Sequence, residues 1–130
     1  MSDITSALAV SASGMAAQSD RLRLVSENIA NADTPGYRRK TAAFAPEIEG
    51  GRPTGGVAMG PVRLDRAELP QIFDPGHPMA DDDGRYQGSN VELLIEIADA
   101  REAQRSYEAN LRMFDQTRQM SQGLIELLRR

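Results

Sequence analysis

The 130-residue chain predicts a mainly α-helical fold with a small β-rich insertion. Long N- and C-terminal helices pair as a coiled coil and overhang a short β-containing middle. Three observations lead there. Both ends carry apolar residues at alternating three- and four-residue spacing, the mark of a heptad seam. All seven prolines, and all but two of the eleven glycines, lie between residues 31 and 88. Aromatic residues make up only 5% of the chain, with no Trp, so any core must be built from Leu, Ile, Val, Met and Ala.

The first segment, residues 1–30, reads as a helix from about Ile4 to Ala30. Leu8, Met15, Leu22 and Ile29 stand seven apart, with Ile4 and Val25 in the alternating slot. Ser11 and Gln18 fill that same slot and weaken the seam. Between Ser6 and Ser19 most residues are Ala, Ser or Gly, which let backbones approach closely but bury little area each. Such a helix depends on tertiary cover for its stability.

The helix runs into Asn28-Ile29-Ala30-Asn31-Ala32-Asp33-Thr34-Pro35-Gly36-Tyr37-Arg38. Asn31 suits the left-handed conformation that ends many helices. Thr34-Pro35-Gly36-Tyr37 places Pro second and Gly third, as a type II turn requires. Asn28, Asn31 and Asp33 are suited to bond the carbonyls and amides left open around the turn. The basic run Arg38-Arg39-Lys40 is either a solvated strand edge or part of a helix–loop contact surface.

Residues 31–88 form the middle. Alternating apolar residues predict short strands at Val57-Ala58-Met59, Val62-Arg63-Leu64 and Leu69 to Phe73. Turn signals separate them, among them Gly50-Gly51, Gly60-Pro61, Asp74-Pro75-Gly76 and Asp83-Gly84. The fold of residues 43–70 stays open at this level.

Residues 89–130 form the last segment. Ser89-Asn90-Val91-Glu92 predicts a capping box, with the Ser hydroxyl and Glu92 serving open amides at a helix start. Leu93, Ile97, Ala100, Tyr107, Leu111, Phe114, Ile125 and Leu128 then keep heptad spacing, interrupted at Gln104, Arg118 and Ser121. Core packing is the expectation for Tyr107 and Phe114. A second apolar stripe, Leu94, Ala98, Met113, Met120, Leu124 and Leu127, runs beside the first.

Lengths sharpen the picture. A helix of roughly 40 residues is about 60 Å long at about 1.5 Å per residue. A compact chain of this size is about 36 Å across. The C-terminal helix therefore outruns its own domain, and the N-terminal helix, at about 40 Å, cannot cover both stripes along their whole length. Either a helix is kinked into an ordinary bundle, or other copies and partners supply the cover.

Several function classes fall away on composition. The net charge is −4, which gives no basis for binding nucleic acid or an anionic membrane. Cysteine is absent, which removes disulfides and thiolate metal sites. The N-terminus has no basic region before its apolar residues and predicts no cleavable signal peptide. No apolar run reaches the roughly 18 residues that span a bilayer.

The segment Asn28 to Arg38 resembles the signature of the flagellar rod and hook family of axial proteins, in which an Asn-rich loop leads into Thr-Pro-Gly-Tyr after the first helix. Asp74-Pro75-Gly76-His77-Pro78-Met79-Ala80-Asp81, Ser89-Asn90-Val91 and Ala103-Gln104-Arg105-Ser106-Tyr107-Glu108-Ala109-Asn110 resemble later parts of proximal-rod members of the same family. The resemblance implies a structural subunit that does no chemistry and holds no cofactor or metal. It implies export through the flagellar type III apparatus without signal cleavage, and a place in the periplasmic rod of the basal body. The terminal helices would line a hollow drive shaft that transmits torque and passes exported subunits, with the β region outside. The partners implied are further copies of this chain, proximal-rod subunits of the FlgB, FlgF and FliE kinds, the MS ring and the distal rod. A second proximal-rod type of subunit is the near alternative.

From a different class, a small metal-binding or hydrolytic domain is the remaining candidate. His77, the one histidine, lies near Asp81, Asp82 and Asp83. These acids are contiguous rather than spaced as in a calcium loop, so a solvated acidic turn is the simpler account. No nucleophile-elbow pattern surrounds any serine.

Overall fold

The computed structural model describes residues 2–130, so Met1, which heads the predicted segment 1–30, lies outside the described residues. Helix α1 (Ser2–Ala30) leads through strands β1 (Lys40–Thr41), β2 (Phe44–Glu49), β3 (Arg52–Met59), β4 (Arg63–Leu64), β5 (Gln71–Phe73) and β6 (Arg85–Gln87) to helix α2 (Leu93–Arg129). The chain is mainly helical, with a small β-containing middle, as its sequence predicts.

The helices pack antiparallel. Asn28 of α1 meets Glu96 of α2, Arg21 meets Asp99 and Glu102, and Gly14 stands against Asn110. Extended to the start of α1, this register leaves residues 124–129 of α2 with no helix beside them. The 37 residues of α2 run about 56 Å, so the overhang expected from length is real and lies at the C-terminal end.

Small and polar side chains, rather than the apolar stripes, line the contact between the helices. Gly14, Ala17, Arg21, Leu24 and Asn28 of α1 face Glu96, Asp99, Ala103 and Asn110 of α2. A Cβ on Gly14 would stand 2.7 Å from the Asn110 side-chain oxygen, so glycine lets the backbones close at this point. Among the described residues the buried apolar side chains are Ala17, Leu24, Val25, Leu69 and Ala103. The largest side chains fully out of solvent are Glu96 and Asn28. A core this small places unusual weight on its polar bonds.

The strands form three separate two-stranded antiparallel ribbons: β1 with β4, β2 with β3, and β5 with β6. β2 and β3 make the longest, with Phe44 opposite Met59 and a register shift between Pro46 and Ile48. Proline cannot donate to a ladder, which fits a break in pairing there. β3 lies along α1, where the Val57 N–H donates to the Ser13 hydroxyl at 3.1 Å and that hydroxyl donates to the Val10 carbonyl at 2.7 Å. The strands expected at 57–59, 62–64 and 69–73 are present in β3, β4 and β5. β1, β2 and β6 escaped the sequence reading because they are short, polar or interrupted by Pro46, and their partners pair from a distance.

Three local expectations are corrected. The Ser89 capping box does not form: α2 begins at Leu93 with Glu92 as its cap residue and no side-chain cap bond. Ser89 instead donates to the Ala32 carbonyl at 2.6 Å and accepts the Val91 N–H at 3.3 Å, because tying α2's entry to the end of α1 uses the same hydroxyl. Asn31 keeps a negative φ, since no residue other than glycine is left-handed among those described. It ends α1 through its side chain, whose amide donates to the Glu27 carbonyl at 2.9 Å. Tyr107 is not a core residue. It is exposed on α2, because the stripe that carries it turns away from α1.

Candidate functional site

Two features stand out: a polar clasp that joins the two helix ends, and an apolar side of the helix pair that the chain does not cover.

The clasp is built from the segment Asn28 to Lys40 and the start of α2. Thr34-Pro35-Gly36-Tyr37 turns as its sequence requires, with Gly36 at φ 74° and the Tyr37 N–H donating to the Thr34 carbonyl at 3.1 Å. The turn returns the chain so that Tyr37, Arg39 and Lys40 face the buried end of α1. Asn28 is 1% exposed and uses its whole amide. Its Nδ2 donates to the Lys40 carbonyl at 2.9 Å and to Glu96 Oε2 at 3.3 Å. Its Oδ1 accepts from the Tyr37 hydroxyl at 2.8 Å and the Lys40 N–H at 2.9 Å.

Glu96 is completely buried, and the Arg39 guanidinium is its counter-charge. Arg39 also reaches Asp99 at 3.0 Å, and Arg21 of α1 reaches Asp99 and Glu102 at 3.3 Å each. Asn90 accepts the Arg39 N–H at 2.6 Å and donates to the carbonyls of Asp65 and Ala67. A buried carboxylate is costly unless paired and hydrogen-bonded, and here both conditions are met. The basic run is thus part of a helix–loop contact surface, the second of its two readings.

Titration of the clasp follows from its packing. Burial pushes the Tyr37 hydroxyl above its ordinary 10.0, and the Glu27 charge adds to that. Lys40 is raised above 10.5, first by its hydrogen bond to Glu27. Burial pulls the Arg39 guanidinium down, but the bond to Glu96 and the charges of Glu96, Asp99 and Asp65 outweigh it and leave a net rise. Tyr37 and Lys40 therefore bind their protons more tightly in the folded chain than in the unfolded one. Their contribution to stability is complete below their ordinary values and is lost as pH climbs through the raised ones. The urea midpoint of the chain is expected to fall as pH is taken above about 10, and Tyr37→Phe with Lys40→Met is expected to flatten that fall.

Of the motif's remaining members, Arg38 donates to the carbonyls of Asp65 and Ala67 at 3.2 and 3.1 Å. The Thr34 hydroxyl donates to Asn31 Oδ1 at 3.1 Å. Pro35 is half-buried, and Asp33 is exposed with no bonded partner among the described residues. Glu96, Asp99, Arg21 and Asp65 were not singled out from sequence, and Asn90 was noted only beside Ser89, with no role in joining the turn. A Glu at the first turn of an amphipathic helix carries no signal that it is buried.

Asp74, Pro75, Gly76, His77 and Pro78 form the loop between β5 and β6, apart from the clasp. The His77 N–H donates to the Asp74 carbonyl at 3.0 Å, and the imidazole stacks on Tyr86 at 3.9 Å. Asp81 Oδ1 accepts the N–H groups of Asp83 and Arg85. Among the described residues no group of three His, Cys, Asp or Glu side chains is placed to hold a metal ion.

The second feature is the uncovered side. Leu93, Ile97, Tyr107, Leu111, Ile125 and Leu128 are all exposed, Leu128 at 83%; Phe114 alone of the stripe is half-buried. On α1, Val25 is buried, Leu8, Met15 and Leu22 are half-buried, and Ile29 is exposed. At about 100° per residue the α2 stripe is rotated by about 65° on average from the line that meets α1. The α1 stripe is rotated by about 120° from the line that meets α2. In an antiparallel pair these rotations bring both stripes to one side. The other side carries β2 and β3, where Leu24, Arg21, Asp99 and Glu102 line a cavity of about 390 Å³ with Phe44 and Met59, and Val25, alone of the α1 stripe, reaches this cavity. The stripe Leu94, Met113, Met120, Leu124 and Leu127 on α2 is exposed as well. No helix is long and apolar enough among the described residues to cross a membrane.

Comparison with known proteins matches both halves of this arrangement. A family model described as flagella basal body rod protein matches residues 8–38, which hold most of α1 and the turn of the clasp. A second, described as flagellar basal body rod FlgEFG protein C-terminal, matches residues 83–127, which hold β6 and most of α2. The flagellar basal-body rod protein FlgC of Agrobacterium fabrum is 44% identical over 99% of this chain and 98% of its own length. The chain belongs to the FlgC family of flagellar basal-body rod proteins. FlgC of Salmonella typhimurium and FlgC of Yersinia enterocolitica are each 33% identical, over 85% of this chain and 87% of their own. The two matched segments hold Asn28 and Tyr37 of the clasp on one side and Asn90, Glu96 and Asp99 on the other, while Arg39, Lys40 and Asp65 lie between them.

Proposed function

We propose that the chain is a structural subunit of the rod of the bacterial flagellar basal body, built into that rod through the uncovered side of its helix pair. The observation that carries the reading, beside the family itself, is the exposed apolar stripe of α2. It is too long and too regular for a solvated helix face, and the chain's own α1 turns away from it. Further copies and other rod subunits supply its cover. Contacts between different patches do not close on themselves and give a tube or helix rather than a dimer.

In this reading residues 1–30 and 89–130 form the helical core and 31–88 the outer β region. The clasp holds the core pair in register while neighbours bind the stripes. The chain does no chemistry and takes no cofactor. Its place is the proximal rod in the periplasmic space, reached through the flagellar export apparatus without cleavage, beside subunits of the FlgB, FlgF and FliE kinds, the MS ring and the distal rod. Deletion of the gene tests this. The expected result is loss of swimming with no filament outside the cell, restored by the gene in trans. Deletion cells that swim normally would sink the reading.

A further inference from the structure

The family's helices do not account for two surfaces of the β region that match each other in charge and apolarity. The first is a groove over β1 and β4, lined by Arg38, Thr41, Arg63, Leu64 and Arg66 with no carboxylate among them. Leu64 and the neighbouring Val62 are about half exposed. Arg38 is held by two backbone carbonyls, which fix its position and leave its charge uncompensated. Arg63 and Arg66 make no ion pair among the described residues.

The second surface is the loop between β5 and β6. Phe73 is 66% exposed and Met79 62%, unusually high for large apolar side chains. The loop that presents them is built, not loose. The Met79 N–H donates to His77 Nδ1 at 3.1 Å, His77 stacks on Tyr86, and Asp81 caps two amides. Asp74, Asp82 and Asp83 lie in the same loop with no bond to their carboxylates among the described residues, and they outnumber the one cation beside it, Arg85, which stands opposite Phe73.

We infer that the acidic, apolar β5–β6 loop of one copy docks into the basic groove over β1 and β4 of a second copy. Opposite charge with apolar residues on both sides favours this pairing, while groove against groove or loop against loop would repel. A second copy is the occupant because the chain itself carries both halves, and a contact between unlike patches repeats from subunit to subunit. The inference rests on the rod-subunit reading and adds a contact outside the helical core.

The chain has no cysteine, so introduced pairs report without background. In basal bodies isolated from cells carrying Arg63→Cys with Asp82→Cys, disulfide-linked copies are expected on non-reducing gels, and neither single variant is expected to link. Charge reversal gives the second readout. Arg63→Asp with Arg66→Asp is expected to shrink swimming halos several-fold, and adding Asp82→Arg with Asp83→Arg is expected to restore them. A merely folded-state role for these side chains predicts no such rescue. Basal bodies without linked copies, or reciprocal reversal without rescue, overturn the contact. If deletion of the gene abolishes swimming while both of these fail, only the contact falls. If deletion leaves swimming intact, the rod reading falls with it.

Discussion

Glu96→Ala is expected to cost the chain about 3–5 kcal/mol, the range for removing one partner of a buried ion pair. Glu96 is 0% exposed and sits where α1, the turn and α2 converge. Its loss takes from Arg39 its one fully buried counter-charge, leaving only the partly exposed Asp99 and Asp65, and removes one acceptor of the Asn28 amide at the centre of the clasp. Few buried apolar side chains are available to compensate, because the helix contact there is made of Ala, Leu and Val at only a handful of positions. Glu96→Gln keeps the volume and an acceptor for Asn28 and is expected to cost less. Removing both charges, Glu96→Ala with Arg39→Ala, is expected to cost less than the two losses added together, since both single variants break the same Glu96–Arg39 pair and Arg39→Ala alone leaves the buried Glu96 without a counter-charge. Urea unfolding followed by circular dichroism reads all four proteins. A loss under about 1 kcal/mol for Glu96→Ala would mean that the clasp does not join the helices.

Ile97→Asp with Leu111→Asp is expected to act in the opposite way: no loss of folding, and complete loss of swimming. Both side chains lie on the exposed α2 stripe, 43% and 41% open to solvent, and neither belongs to the chain's buried core. Surface changes of this kind shift stability by about 0.5 kcal/mol or less. In an assembly the same positions meet neighbours, and a carboxylate without a partner in an apolar contact is strongly unfavourable. The expected result is a variant with the parent urea midpoint that is made and exported but yields no filaments. Swimming at the parent rate would show that the stripe is solvated in the rod. Comparing the two experiments separates what holds the subunit together from what joins it to others.

Much of the fold was legible in the sequence, for reasons that can be named. The helices announce themselves through periodicity, and the prolines from Pro35 to Pro78 confine them to the two ends of the chain. Pro35-Gly36 dictates its turn because only glycine takes the positive φ at that position without strain. The strands at 57–59 and 62–64 follow from alternation. The pairing of β1 with β4 and of β5 with β6 could not be read, because two- or three-residue strands carry almost no pattern and their partners are distant in sequence. Ser89 shows the limit of local rules. Its sequence context suits a cap, but a carbonyl at Ala32, brought close only by the fold, takes the hydroxyl.

The sequence by itself determined two long helices, a proline-bounded middle, a tight turn after Asn31 and apolar stripes too long for one domain to cover. All of these depend on neighbours within a few residues along the chain. The tertiary structure alone decided which faces meet. It turned the apolar stripes outward and closed the helices over Gly14, Ala17, Ala103 and the buried Glu96. Facing is set by how two elements rotate about each other, and heptad spacing is blind to that rotation. A stripe that could serve the chain's own core or a neighbour's reads the same from sequence. Here the clasp, joining Asn28, Arg39 and Glu96 across 68 positions of sequence, fixes the rotation and leaves the stripes for the assembly.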